Sequence, residues 1–304
     1  MERNLQVQEL LRQNPDFIVA LTQDHFRTLR WLREQRLLPA DFTSPCCGMG
    51  CRLVVDRERL DGEEFRCPMK TCRRRFCIRT DTIFGKFRRT PLIVLVRIIF
   101  YFFTEQLSPR RATRRLNTAG YLVRVRTIQR IYRAVRNSIQ RYMNNEVFNQ
   151  VLRGTIEIDE ALFTHRAGPG PRGLRQVWAI GMVERTSRLA FVFVVANRNS
   201  ATINNLIQRY TLRGSFIIHD GWQGYNNIPR PWRHVDVNAD ENFTTSQVEG
   251  LWGQLRARIR NMYSGGVVAG NVEAVLNEVL WRRNVDFAQN DIQERLIHIL
   301  SRYS

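Results

Sequence analysis

Lysine is almost missing from this chain: of 47 basic side chains only Lys70 and Lys86 are lysines, and the rest are arginines. Acidic residues are also scarce, 28 against those 47, which leaves a net charge of +19 and a pI near 10.9. A surface of that sign is a poor partner for other cations and a good one for polyanions. Arginine's planar fork pairs bidentately with phosphate and guanine edges, where lysine acts as a point charge. A GC-rich genome accounts for arginine replacing lysine, but not for the net excess. Cysteine is absent outside Cys46 to Cys77, so no disulfide framework spans the chain, and in a reducing compartment the cluster argues for a metal. Long apolar runs are lacking too. The most apolar stretch, Leu92 to Phe103, is interrupted by Arg97 and is too short to span a bilayer, and residues 1–12 are too polar for a signal peptide. A soluble intracellular protein with no membrane partner is expected.

What is present begins with length: 304 residues, 43% hydrophobic, allow two or three compact units around real cores. Residues 1–42 read as helical, with Leu5, Leu10, Leu11, Phe17, Ile18, Leu21, Phe26, Leu29 and Leu32 at roughly helical spacing. Residues 43–88 turn Cys- and Arg-rich, with Asp61-Gly62 as a hairpin turn. Two cysteine knuckles flanking a hairpin can present four thiolates to one structural Zn²⁺. Cys51, Cys67 and Cys72 are the expected ligands, with Cys47 or its neighbour Cys46 as the fourth. Buried thiols without metal are the plainer alternative.

Residues 89–150 return to helical periodicity. From Arg110 to Arg141 there are ten arginines and no acidic residue. Ser108-Pro109 reads as a helix start with proline in the first turn, Thr118-Ala119-Gly120 as a break, and Thr127-Ile128-Gln129-Arg130 as the opening of a second helix. Helix, short glycine turn, helix is a helix-turn-helix layout whose second helix enters a major groove. Arg110, Arg111, Arg114, Arg115, Arg124, Arg126, Arg130 and Arg133 are the candidate contacts to double-stranded DNA. An ordinary helical hairpin with a solvated basic face is the alternative.

Residues 151–286 alternate strands and helices, and residues 287–304 close the chain with a helix. Ile156 to Asp159 and Ser215 to Asp220 read as strands that each end in a carboxylate, with further strands at Val177–Met182 and Leu189–Val195. Asn204 to Tyr210 reads as a helix. So does Thr245 to Met262, with Val248, Leu251, Leu255 and Ile259 on one face and a stop at Ser264-Gly265-Gly266. If those strands are neighbours, Asp159, Asp220 and Glu249 converge. Carboxylate oxygens suit two Mg²⁺ or Mn²⁺ ions in an in-line displacement at phosphorus.

The words around these acids are Ile158-Asp159-Glu160, Trp178-Ala179-Ile180-Gly181-Met182-Val183-Glu184-Arg185, His219-Asp220-Gly221-Trp222-Gln223-Gly224-Tyr225, His234-Val235-Asp236-Val237-Asn238 and Val248-Glu249-Gly250-Leu251-Trp252 with Arg256. In that order they resemble Merlin-type transposases and their bacterial insertion-sequence relatives, and Phe76 to Phe84 and Thr90-Pro91-Leu92 extend the likeness upstream. The resemblance implies an RNase H-like catalytic domain, a mixed sheet flanked by helices. It implies Asp159, Asp220 and Glu249 as the three acids, and cut-and-paste transposition at terminal inverted repeats by a homo-oligomer holding transposon ends and target DNA. Arg256 stands where the family has a DNA-contacting lysine. Three departures matter, of which one is a loop from Asn238 to Thr245 shorter than the family's, bearing on the reach of Glu249 toward the aspartates. Ser44 replaces the first cysteine of the family's first knuckle, so another cysteine must ligate; Ser246 replaces an Asn that serves some relatives as third ligand, which leaves Glu249. A eukaryotic nucleus or a bacterial cytoplasm would both suit such a protein. A domesticated, non-catalytic DNA-binding descendant is the main alternative; a ribonuclease or resolvase with similar acids is a third. His219 and His234 are expected to support the site by hydrogen bonding, and Trp178, Trp222 and Trp252 to form core or pocket walls.

Overall fold

The computed structural model describes residues 16–166, 173–262, 268–269, 271–287 and 292–303. Leu5, Leu10 and Leu11 and the glycine stop expected at 264–266 lie outside them. The chain divides into two compact units, residues 1–138 with 293–304, and residues 139–292.

In the first unit α1 (Asp16–Leu21) and α2 (His25–Glu34) precede a three-stranded antiparallel sheet of β1 (Arg52–Val55), β2 (Glu63–Arg66) and β3 (Arg75–Cys77). Asp24 caps α2 by accepting the Arg27 N–H at 3.0 Å. The turn expected at Asp61-Gly62 does lie between β1 and β2, with Gly62 at φ 70°, but the link spans residues 56–62 and Asp61 is buried. Its carboxylate accepts the Arg79 Nε–H at 2.6 Å, and Arg79, itself fully buried, also donates to the carbonyls of Phe87 at 2.9 Å and Thr90 at 2.7 Å. Breaking such a desolvated pair costs about 3–5 kcal/mol, because the surviving charge stays buried without its partner.

The most apolar run becomes α3 (Leu92–Phe103), in which Leu92 and every residue from Val94 to Phe103 are buried. A helix apolar on all sides belongs inside a core, and Arg97 is tolerated there by donating from Nε to the Thr22 hydroxyl at 2.7 Å. No described helix is long and apolar enough to cross a membrane. Next come α4 (Pro109–Thr118) and α5 (Val125–Tyr142). Ser108 caps α4 and proline opens it, as its sequence predicts. The break falls at Gly120, whose φ of 85° suits glycine. The second helix begins at Val125, two residues before Thr127. Ala112, Leu116, Ile128, Ile131 and Val135 are buried, while Arg110, Arg111, Arg114, Arg115, Arg124, Arg126, Arg130 and Arg133 are all exposed.

The second unit is a mixed α/β layer. Its strands are β4 (Thr155–Arg166), β5 (Leu174–Glu184), β6 (Ala190–Val195), β7 (Phe216–His219) and β8 (Arg233–Asp236), with α6 (Ser200–Tyr210) between β6 and β7. The order across the sheet is β6-β5-β4-β7-β8. The first three strands in sequence form an antiparallel meander, whereas β7 lies parallel to β4 and β8 parallel to β7. Reversal from antiparallel to parallel demands a crossover, which α6 supplies. Helix α7 (Ser246–Met262) lies against β4 and β5 through Val248, Leu251, Trp252, Leu255 and Ile259, the expected face plus one indole. Short β9 (Val268–Ala269) pairs with the far end of β4, and α8 (Val272–Phe287) lies against β6. The last helix, α9 (Ile292–Arg302), belongs to the first unit from Gln293 onward. This mixed sheet with flanking helices fits the RNase H-like expectation.

Candidate active site

The parallel register sets Thr155, Ile156 and Glu157 of β4 beside Phe216, Ile217 and Ile218 of β7. Extended by two residues it brings Asp159 opposite Asp220, and neighbouring strands run about 4.8 Å apart. Carboxylate oxygens of Asp159, Glu160 and Asp220 do lie within 4.8 Å of one another. The two aspartates named from sequence are thus brought together, and the adjacent Glu160 joins them.

Glu249 is placed in the first turn of α7, exposed, with one oxygen accepting the Thr245 hydroxyl at 2.7 Å. It stands outside the tight group of three but close enough to act on it. Burial raises the Asp159 carboxyl above its usual range, and the Asp220 and Glu249 charges add to the rise, against a hydrogen bond from Trp252. Burial likewise pushes Glu160 up to about 7, with Asp220 and Asp159 adding while Tyr225 and Arg198 oppose. Several acids that disfavour one another's charge suit a hard divalent cation, which is bound by oxygen and offsets the crowding.

The helix is seated by a residue that sequence reasoning passed over. Glu157 shares a face of β4 with Asp159, since side chains alternate along a strand, and it is fully buried. Its carboxylate accepts Arg185 Nε–H at 2.7 Å and the backbone N–H groups of Gln247 at 2.7 Å and Val248 at 3.0 Å. These amides belong to the first turn of α7, where helix geometry leaves donors unsatisfied and favours a negative charge. Arg185 also donates to the Thr244 carbonyl at 2.7 Å, so one ion pair holds both the approach to the helix and its start. The period-two pattern Ile156-Glu157-Ile158-Asp159 was the available signal, because it sets both acids on one side.

Trp252 completes the support. Its indole N–H donates to the Asp159 carboxylate at 2.9 Å. Room for the ring exists because the residue paired with Asp159 on β5 is Gly181, where a Cβ would come within 2.6 Å of that indole. Gly221, at φ 82°, has a similar duty after Asp220: a Cβ there would lie 2.2 Å from the Asp236 carboxylate. His219 is buried, accepts the Gly221 N–H at Nδ1 (3.1 Å) and meets His234 Nδ1 from Nε2 at 2.9 Å. With Nδ1 accepting, the proton sits on Nε2, and burial together with His234 lowers its pKa to about 4. Neutral His219 therefore braces the end of β7 rather than carrying a charge. Exposed Arg256 lies with its guanidinium 5.9 Å from the Phe163 ring centre.

In the first unit the thiols of Cys47, Cys67 and Cys72 lie within 4.8 Å of one another. The Cys51 thiol is near enough that Cys47 and Cys72 help burial to raise its pKa. Cys72 is lowered instead, chiefly by the Arg74 backbone N–H and then by the Ser44 hydroxyl, 3.7 Å away. Ser44 thus faces the cluster from the place where the related motif has cysteine. Three thiols at this separation could bind zinc; Cys46 instead receives Arg74 Nη1 at 2.9 Å.

Residues 151–284 match the ISXO2-like transposase domain. The transposase resemblance is borne out. It is carried by the insertion-sequence side of the likeness, and all three proposed acids of the transposase-like domain fall within the matched residues. No curated protein matches the chain. Among solved structures, the HTLV-2 integrase catalytic core domain in complex with magnesium is similar at 11% identity and a TM-score of 0.30, over 43% of this chain and 84% of that one. The catalytic core domain of BIV integrase is similar at 19% identity and 0.30, over 41% and 80%.

Glu157→Gln tests the seating of α7. It preserves size but turns one acceptor into a donor facing other donors. A loss of about 10- to 100-fold in Mn²⁺ affinity by calorimetry is expected, the usual effect of removing a group that orients a ligand, with circular dichroism unchanged. Wild-type affinity would show that α7 is placed without this carboxylate.

Proposed function

We propose that the transposase-like domain cuts and joins DNA strands at terminal inverted repeats with two divalent cations held by Asp159, Asp220 and Glu249. The observation carrying this reading is the meeting of Asp159, inside β4, with Asp220, just past the end of the parallel neighbour β7, in a domain matching a transposase family. When bound, Mg²⁺ or Mn²⁺ would supply charge at the scissile phosphate and favour deprotonation of the attacking hydroxyl. The protein's own part is positional: Trp252 and Gly181 orient Asp159, His219 and Gly221 shape the turn that bears Asp220, and Glu157 sets the helix that bears Glu249. The exposed arginines of α4 and α5, with Arg256, provide phosphate contacts along double-stranded DNA.

The cysteine cluster serves this reading as a structural zinc site of Cys47, Cys67, Cys72 and Cys51 that braces the first unit. Metal analysis of the purified protein should return about one zinc per chain, lost in Cys67→Ser; zinc-free protein with β1–β3 intact would remove this part.

The enzymatic part is tested on labelled duplexes carrying the inverted repeat that flanks the gene, with Mg²⁺ or Mn²⁺. Asp220→Asn should lower strand cleavage by more than about 100-fold, beyond what loss of an outer partner costs, and should leave binding intact. Full cleavage by Asp220→Asn would refute the assignment. Binding without cleavage by the wild type would identify a non-catalytic DNA-binding descendant instead.

A further inference from the structure

Resting on the strand-cutting reading, we propose that Arg198, clasped between Trp178 and Trp222 at the rim of the acid cluster, grips a DNA phosphate beside the one that is cut. Its guanidinium carbon lies 4.2 Å from the Trp178 ring centre and 4.3 Å from that of Trp222. Two indoles on one guanidinium restrict its rotation and leave its donors at the edge of the plane, where a phosphate oxygen pair fits.

Those donors are unspent. Among the described residues the guanidinium makes no hydrogen bond, and its ion-pair contact is Glu160 Oε2 at 3.8 Å, beyond hydrogen-bond reach. The Arg198 side chain is 35% exposed and that of Glu160 only 3%, so the cation faces outward from the acid it accompanies. An approaching DNA backbone meets repulsion from Asp159, Glu160 and Asp220. A fixed positive charge at their rim offsets part of that repulsion and holds the strand in register.

The clasp is tied to the site by its own construction. Trp178 is carried on β5 opposite Leu162 of β4, three residues beyond Asp159. The Trp222 backbone N–H donates to the Asp220 carboxylate at 3.1 Å. Gly224 leaves space for the Trp222 ring, since a Cβ there would fall 1.8 Å from it. Arg198 is therefore held between the strand paired with β4 and the turn that bears Asp220.

The test is a scan in which single phosphates around the cleavage position of a duplex cut by the full-length wild type are replaced by neutral methylphosphonates. In the wild type one position should lower single-turnover cleavage by about 10- to 100-fold, the range for a lost charge-assisted contact. Arg198→Ala should show that loss on the unmodified duplex, and the methylphosphonate at that position should cost nothing more. Arg198→Lys should recover only part, and Mn²⁺ affinity should be unchanged in both. If Arg198→Ala melts early, Arg198→Gln provides the same comparison. A scan with the same profile in the variant and the wild type would overturn the proposal and leave Arg198 as a tie for Glu160. A wild type that cuts no duplex would sink the strand-cutting reading itself, a distinguishable failure.

Discussion

A single buried carboxylate, that of Glu157, joins the sheet to the helix bearing the third acid. The two partners are 90 residues apart in sequence, and the bonds from Gln247 and Val248 to Glu157 close that distance. Taking an ion out of water costs several kcal/mol unless donors replace the lost solvation. Here Arg185 and two helix amides do so. The geometry that makes the burial tolerable also decides where Glu249 stands, because Glu249 follows those amides on the same first turn.

The remainder of the site follows from where charge is allowed to be. Asp159 and Asp220 meet because parallel register leaves them no alternative, and their neighbours determine how much negative charge the spot carries. Trp252 stabilises the Asp159 carboxylate while His219 stays neutral, so the support around the aspartates is polar without supplying a competing cation. A fixed positive charge at the rim, Arg198, is held at 3.8 Å from Glu160 by aromatic faces rather than by hydrogen bonds. Cation binding within the cluster and phosphate binding at its rim are in this way kept apart.

Much of this was legible in the residues. Alternation and strand-ending acids pointed to Asp159 and Asp220, and helical spacing identified the buried face of α7. The limits of β5 moved by only a few residues, from Val177–Met182 to Leu174–Glu184, but β4 continues seven residues past Asp159 to Arg166, because its pairing with β5 runs on, so that acid lies inside the strand rather than at the expected end. What was not legible depends on long-range pairing. Glu157 looks like any strand acid until Arg185 and α7 are folded over it. Gly181 gives no hint that its missing side chain seats Trp252. Arg198 follows β6 in a polar stretch, and only the packed sheet shows two tryptophans on either side of it. Asp61 looks like a turn residue, and its burial against Arg79 has no local signature.

The most direct measurement is the anomalous scattering of crystals grown with DNA and Mn²⁺. The account predicts two manganese peaks about 3.5–4 Å apart, bounded by the Asp159 and Asp220 carboxylates, with Glu249 turned inward as a ligand to one of them. Manganese bound elsewhere, or Glu249 directed away from both peaks, would contradict it.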